Sequence, residues 1–537
     1  MNFTSLFSKV REHKHITLLF SLILSFLFTQ GSRIHFSGNV AAGMKKNYIT
    51  PWTPKCFCLF FFSFFVIFCV LSLLFIWMEH HACKEKKALS RKSLLLWLLV
   101  GTLLLLLCWC PYLLSYYPGS VLADSLVSIR QALAERITSN HYPAAYSLFV
   151  GLFVKLGLFL GNINTGVFLY SITQSILMAL TLSFTLYWLY QKGICKPLLF
   201  VFFLFYAIMP FFPAYAIIMW KDPLYSCALL LLMILLFEVI QSTGTLLSSP
   251  KIITIFVLLF GIISFFRNNG IYTVILCCLF LFLYFRRNIL TALFFFTCFV
   301  FLYFIITVPV YHHLGIESEF VESLGIPLQQ LGYTITENGE LTPSEEEFLF
   351  TLLPEKNWKK DYRPCIVDTI KWDSEFNSVF LEENKIQFLK VWASVLVKNF
   401  DSYVNAYCLE TFGFWKPCVQ NSYGYVDTYI SDNELSIVPT DMFQQLFEIS
   451  IQEKLTLFRP MLGSGTLLWV FLFCLYLCII QTPKSSLILL PAFANWLVIL
   501  LATPVAFSLR YVYIFALALP FALCLPFLVN KERITKA

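Results

Sequence analysis

From Cys56 to Trp77 the chain runs for 22 residues without a charged side chain, and this stretch sets the first limit on the fold. In water such a helix would expose apolar side chains on every face, whereas in a bilayer roughly 20 apolar residues span the ~30 Å of hydrocarbon. Leu94–Ser115 and Thr291–Tyr311 repeat the pattern. Lipid offers the backbone no hydrogen-bond partners, so each of these segments must be helical. With 58% hydrophobic and only 13% charged residues, the chain is excluded from the soluble globular class. A multi-pass protein of the cell membrane is expected.

The apolar runs predict spans at 16–30, 57–77, 94–115, 166–190, 198–218, 223–241, 251–266, 271–285, 289–311, 466–481, 486–503 and 510–529, plus a further stretch at 144–161. The first run lacks a small-residue cleavage site and reads as a span. Sidedness depends on 144–161. If it dips into the membrane or lies along it without crossing, the basic segments 1–15, 78–93, 191–197, 286–288, 482–485 and 530–537 all fall on one side. That side is cytoplasmic, because Lys and Arg are enriched there in short loops. The expectation is therefore an all-α polytopic protein of about 12 transmembrane helices plus one re-entrant or interfacial segment, with both termini cytoplasmic. Segment 31–56 fits least well, because it carries Arg33, Lys45, Lys46 and Lys55 yet lands outside. The 17 cysteines show no paired metal-type spacing and read as small packing residues. The net charge of +7 follows from the basic loops and gives no reason to expect nucleic acid.

Three regions result: an N-terminal membrane module, 1–311, with an outer loop at 116–143; an extracytoplasmic insert, 312–465; and C-terminal membrane helices, 466–537. In the insert, Thr342-Pro343-Ser344-Glu345 reads as a helix start closed by a capping box. Residues 386–400 have helical apolar periodicity and could lie against the membrane. The insert's acids are numerous but dispersed, as on a solvated surface.

This topology gathers the ionisable residues of interest on the outer face. Asp124 follows the third span, where Leu126, Ile129, Leu133 and Ile137 share one side of a short helix suited to the interface plane, with Arg130, Glu135 and Arg136 elsewhere. Asp124 is then either that helix's N-cap or a reactive group aimed at something held at headgroup depth. His141 precedes Pro143, which would open the dipping segment; it is either a plain interface histidine or a substrate partner. Lys221 and Asp222 stand between long apolar runs. Adjacent side chains on a helix do not face each other, so each is expected to have its own partner. Arg267 and Arg510 add two cations, for which snorkelling to headgroups is the competing account. Ionisable residues at membrane depth are costly and are functional hypotheses by default.

The order Asp124, His141-Tyr142-Pro143, Asp222-Pro223 and late Arg510-Tyr511 resembles the GT-C superfamily of polytopic glycosyltransferases, which includes protein O-mannosyltransferases and the aminoarabinose transferase of lipid A. IPLQQLGYTITENGELTPSEE, RNNGIY and the YPG…D…Q opening resemble more closely an uncharacterised bacterial family, domain of unknown function 6020, over residues 110 to 515. Two departures from the GT-C pattern stand out. Asp124 is followed by Ser125 rather than a second acid, and Tyr142 stands where a basic residue precedes Pro.

The GT-C resemblance implies transfer of a sugar from a polyprenyl-phosphate donor to an extracytoplasmic acceptor in the cell envelope: a glycan, a lipid or a protein. It casts Asp124 and Asp222 as catalytic, and His141, Lys221, Arg267 and Arg510 as substrate-binding. No nucleotide site is required, and a divalent cation stays open as the one cofactor the resemblance allows. A lone carboxylate is a poor divalent-cation site unless Asp222 or phosphate oxygens complete it. Two other functions fit the same composition: a lipid or oligosaccharide flippase, and a non-catalytic envelope assembly factor. Against a transporter, the sequence shows no internal duplication.

Overall fold

The structure is a computed structural model and describes residues 13–36, 47–80, 91–134, 137, 139–285, 290–317, 319–419, 428–457, 462–502 and 508–529. The sequence expectations for Glu135, Arg136, Lys45, Lys46 and the basic segments 1–12, 81–90, 286–288 and 530–537 lie outside the described residues.

Helix makes up 78% of the structure. The strand content among the described residues is one short antiparallel ladder, Ile34–His35 with Tyr48–Ile49, so any crossing of a membrane is helical. Eight helices are long and apolar enough to cross, or up to ten if each of two bent pairs forms one span. In chain order the helices used below are α1 (Lys14–Ser32), α2 (Pro54–Met78), α3 (Lys92–Ser115), α4 (Ala123–Leu133), α5 (Ala144–Phe159), α6 (Ile163–Gln191), α7 (Lys196–Ile208) and α8 (Phe211–Ile217). They continue with α9 (Asp222–Gln241), α10 (Pro250–Phe266), α11 (Gly270–Tyr284), α12 (Leu290–His313), α13 (Gly325–Thr336), α14 (Lys385–Lys398) and α15 (Phe400–Thr411). The last are α16 (Ser464–Gln481), α17 (Pro483–Ala502), α18 (Leu509–Leu517) and α19 (Leu519–Leu528).

The differences from a simple list of apolar runs have local causes. Runs 198–218 and 510–529 are each broken into two helices, α7 with α8 bent by 52° and α18 with α19 by 43°. Pro210 stands at the first break and Pro520 just past the second, and neither can continue the backbone ladder. Helices α10 and α11 are 17 and 15 residues long, shortened by the turn through Arg267, Asn268 and Asn269. Helix α5 is similarly short, with 16 residues.

Helix α9 occupies the centre. Some 89% of its apolar window is buried, against 17% for α2 and α3, so α9 is a packed core helix and the other two present their sides to lipid. Helices α5 and α6 form a hairpin whose backbones touch: a Cβ on Gly157 would stand 2.2 Å from the Gly166 nitrogen. Helix α4 packs on this hairpin, with Leu126 and Ile129 buried against Val150, Val154 and Tyr170. Its apolar side therefore faces protein. The helix ends at Leu133, so Ile137 is not on it.

Residues 321–403 have their own hydrophobic core, which includes Leu328, Leu331, Leu349, Trp358 and Phe388. Its helix at Pro343–Leu352 carries the capping box, with Glu345 accepting from the Thr342 amide at 2.7 Å. On α14, Phe388, Val391 and Val395 turn into this core while Ile386, Leu389 and Val397 remain exposed. The chain then returns to the bundle: Trp415 and Val419 join the main core, and Trp469 donates to the Trp415 carbonyl at 2.9 Å. Residues 428–457 run as a strap, pairing Ile430 with Val121 and Thr440 with Tyr117. The unit with its own core is thus shorter than the polar segment 312–465.

Replacing Gly157 with Val is expected to cost about 1–3 kcal/mol through overpacking and to lower the thermal unfolding midpoint of the detergent-solubilised protein. Gly261→Val should leave that midpoint unchanged, since a Cβ there meets open space.

Candidate functional site

The loop leaving α3 sets up the site. Gly119 has a φ of +135° and lies so near Ser171 that a Cβ would come within 2.1 Å of its hydroxyl, so only glycine fits there. The Ser120 amide then donates to the Ile217 carbonyl at 3.0 Å, the Met219 amide to the Ser120 carbonyl at 3.0 Å, and the Ser125 hydroxyl to the Met219 carbonyl at 2.8 Å. These bonds lay the start of α4 against the start of α9. Asp124 and the pair Lys221-Asp222 come together although about a hundred residues separate them.

Arg510, from the start of α18, joins the two acids. Its Nη1 lies 2.5 Å from Asp124 Oδ2 and its Nε 2.6 Å from Asp222 Oδ2. The guanidinium also lies 4.2 Å from the centre of the Trp220 ring. Arg267, at the end of α10, stands 3.5 Å from Asp222 Oδ1 and donates to the Tyr511 carbonyl at 3.1 Å. Lys221 makes no ion pair among the described residues; its ammonium lies 5.2 Å from the Tyr142 ring centre. Each member of the Lys221-Asp222 pair therefore has its own partner, as expected of adjacent residues.

The two aspartates are not equivalent. Asp222 is 1% exposed and lies beneath the floor of a cavity of about 390 Å³, whereas Asp124 is half-buried and lines that cavity. Asp124 is also not the N-cap of α4, a position held by Leu122. It sits in the first turn, where the unpaired N–H groups favour a carboxylate, and accepts from the Tyr142 hydroxyl at 2.9 Å. Burial alone would raise its pKa. The charges of Arg510 and Lys221, with the Arg510 and Tyr142 hydrogen bonds, instead hold it at about 2. Burial raises the Tyr142 hydroxyl, and the neighbouring carboxylate raises it further, so it remains a donor.

His141, Lys221, Arg267 and Arg510 line the same cavity. All six sequence-nominated residues thus converge, with Asp222 as the support behind the others. The opposite wall comes from the 321–403 unit and its approach: Glu319, Glu322, Asp368, Lys371 and Trp372. His141 Nδ1 lies 3.2 Å from Glu322 Oε2, and Lys371 donates to the same oxygen at 2.7 Å. Burial acts to raise Glu322, but hydrogen bonds from His141 and Lys371 bring it below its ordinary value. Asp368 is raised by burial, against the attraction of Lys371. Three cations against two carboxylates leave the floor one positive charge, and three carboxylates against Lys371 leave the roof two negative.

A divalent cation does not fit these side chains. Arg510 engages both aspartates, and no group of three or more His, Cys, Asp or Glu residues able to hold a metal occurs among the described residues.

Glu322, Asp368, Lys371 and Trp372 carry no local signal in the sequence, since their role appears only when the 321–403 unit docks. Tyr142, Trp220 and Tyr511 each adjoin a nominated residue and could have been found as its neighbours.

The chain belongs to a family of unknown function (DUF6020). The match covers residues 132–537. No curated protein matches the chain, and no solved structure matches it. The DUF6020 match takes in His141, Lys221, Asp222, Arg267 and Arg510 together with the roof residues. Asp124 lies before its start.

Asp222→Asn leaves Arg510 and Arg267 with one buried counter-charge fewer and is expected to destabilise by about 3–5 kcal/mol. Asp124→Asn, at a half-buried position, should lower the unfolding midpoint much less. A larger loss for Asp124→Asn in a thermal melt would overturn this ranking.

Proposed function

We propose that this protein is a membrane glycosyltransferase that moves a sugar from a polyprenyl-phosphate donor to an extracytoplasmic cell-envelope acceptor, in the manner of the GT-C superfamily. The observation that carries the reading is the cavity floor, where a half-buried carboxylate and three cations meet at the ends of apolar helices. A lipid phosphate delivered at headgroup depth would find Lys221, Arg267 and Arg510 there, while its sugar would face the roof. Carboxylates accept hydrogen bonds from sugar hydroxyls, and the exposed Trp372 ring offers a flat apolar surface.

In this reading the acceptor hydroxyl oxygen attacks the anomeric carbon as the bond from that carbon to the phosphate oxygen breaks. The bonding electron pair leaves on the phosphate, and the configuration inverts. Fixed cations stabilise the charge that grows on the leaving phosphate. Asp124, ionised throughout the physiological range, orients the incoming hydroxyl by accepting its hydrogen bond and takes its proton as the new C–O bond forms. Asp222 serves as a positioning residue for Arg510 and Arg267. The accompanying topology has about twelve crossings, α5 dipping without crossing, the 321–403 unit outside and both termini cytoplasmic. The tight hairpin of α5 with α6 supports that assignment.

A flippase is the second reading, favoured by the bent pairs α7/α8 and α18/α19, because broken helices beside a polar site are common in transporters. One variant separates the two. Asp124→Asn in intact membranes is expected to cut sugar transfer by roughly 10²–10⁴-fold while the lipid-linked donor persists or accumulates. Glu434→Gln, at an exposed pair with Arg130, should leave transfer unchanged. Unaltered envelope glycans in Asp124→Asn cells would refute the transferase, and a block in lipid movement would establish the flippase.

A further inference from the structure

A second cavity lies at the other end of α3. It is an apolar groove of about 580 Å³ between the first half of α3, the second half of α6 and the start of α7. Its sides are Leu96, Val100, Leu104, Leu199, Phe200 and Phe203, with the Ser183 hydroxyl midway and Ser93 and Lys196 forming a polar mouth at one end. The walls are preformed. Trp97 is stacked on Tyr190 with ring centres 5.2 Å apart, and α3 meets α6 so closely at Gly101 that a Cβ would stand 2.3 Å from the Ser183 hydroxyl. From Ser93 to Leu105 the groove follows α3 for ~18 Å at 1.5 Å per residue, close to half the ~30 Å of hydrocarbon.

The groove has the shape and polarity of one chain of an amphiphile. Lys196 is exposed and has no ion-pair partner among the described residues, and Lys92, also exposed, adjoins Ser93. Among the described residues no carboxylate lines the mouth. A free ammonium at the head of an apolar slot is unsatisfied by hydrocarbon and complementary to phosphate. The cations of the Asp124 cavity stand past the far end of α3, so a lipid whose phosphate sits there would not need Lys196.

We propose that this groove binds one acyl chain of an anionic phospholipid, whose headgroup phosphate is held by Lys196 in the leaflet remote from Asp124. The assignment is independent of the glycosyltransferase reading. It gives the bundle a lipid site on the face where α3 and α7 otherwise meet only bulk bilayer.

The test uses the full chain in nanodiscs of phosphatidylcholine, titrated with phosphatidylglycerol carrying brominated acyl chains, which quench nearby indoles. Subtracting the Trp97→Phe variant isolates the Trp97 signal. Trp97 should be quenched saturably at low mole fractions of phosphatidylglycerol but not by brominated phosphatidylcholine at the same fractions. Lys196→Gln, at an exposed position, should require roughly fivefold more phosphatidylglycerol. Val100→Phe should abolish saturation by filling the slot. Equal quenching by the two lipids, or an unchanged titration in Lys196→Gln, would overturn the proposal. So would saturable quenching by a brominated polyprenyl phosphate that is indifferent to Lys196, which would assign the groove to the carrier lipid instead.

Discussion

The bridge from Arg510 to both Asp124 and Asp222 organises one end of this molecule. A guanidinium removed from water is tolerable only with its counter-charges in place, and two carboxylates 1% and 34% exposed supply them from different parts of the chain. Meeting that requirement joins the loop after α3, the start of α9 and the start of α18. Arg267 then completes the neutralisation of Asp222 from the end of α10. The bends and breaks of the bundle make sense in this light. Helices α8 and α18 stop short of a regular span, and their irregular ends give the backbone room to present charged side chains where an unbroken helix would present only its apolar flank.

Much of the membrane architecture could be read from apolar runs, because lipid demands helix and length, and both are visible in composition. The eight full-length helices coincide with eight of the runs. What the runs could not show is how a helix is interrupted. A proline is evident in sequence, but whether it bends a span or ends it depends on neighbours such as Phe205, Phe212 and Tyr513, which fill the space at the α7/α8 break. Charged residues at span ends were equally legible, since few reasons exist to place Asp222 or Arg267 there. Their geometry was not. The sequence treats Asp124 and Asp222 alike, and only packing separates the one that faces the cavity from the one that supports its floor. The insert was the least readable part, because the carboxylates that reach the cavity are indistinguishable in pattern from those that face water.

The cavity has two builders. Its floor belongs to the bundle and carries a positive excess; its roof belongs largely to the 321–403 unit, which has its own core and carries a negative excess. The contacts joining them are both polar and apolar: His141 and Lys371 share one oxygen of Glu322, the His141 and Trp372 rings meet edge-on with centres 6.2 Å apart, and Cys365 and Ile366 are buried in the main core of the bundle.

The inequivalence of the two aspartates also limits the chemistry. A carboxylate as buried as Asp222, with Arg510 hydrogen-bonded to one oxygen, cannot exchange that partner for a substrate without stranding a buried cation, so any group that reacts must be one that keeps a solvent-facing side. Asp124 has that side. Its low pKa makes it a weak base towards a resting hydroxyl, yet that weakness suits displacement at an anomeric carbon, where the hydroxyl becomes acidic only as it bonds to a centre already developing positive charge. In the proposed transfer, the guanidinium that depresses Asp124 would also meet the departing phosphate: as negative charge passed to the leaving group, the pull on Arg510 would shift from the carboxylate to the phosphate, and Asp124 would become more basic as it accepts the proton.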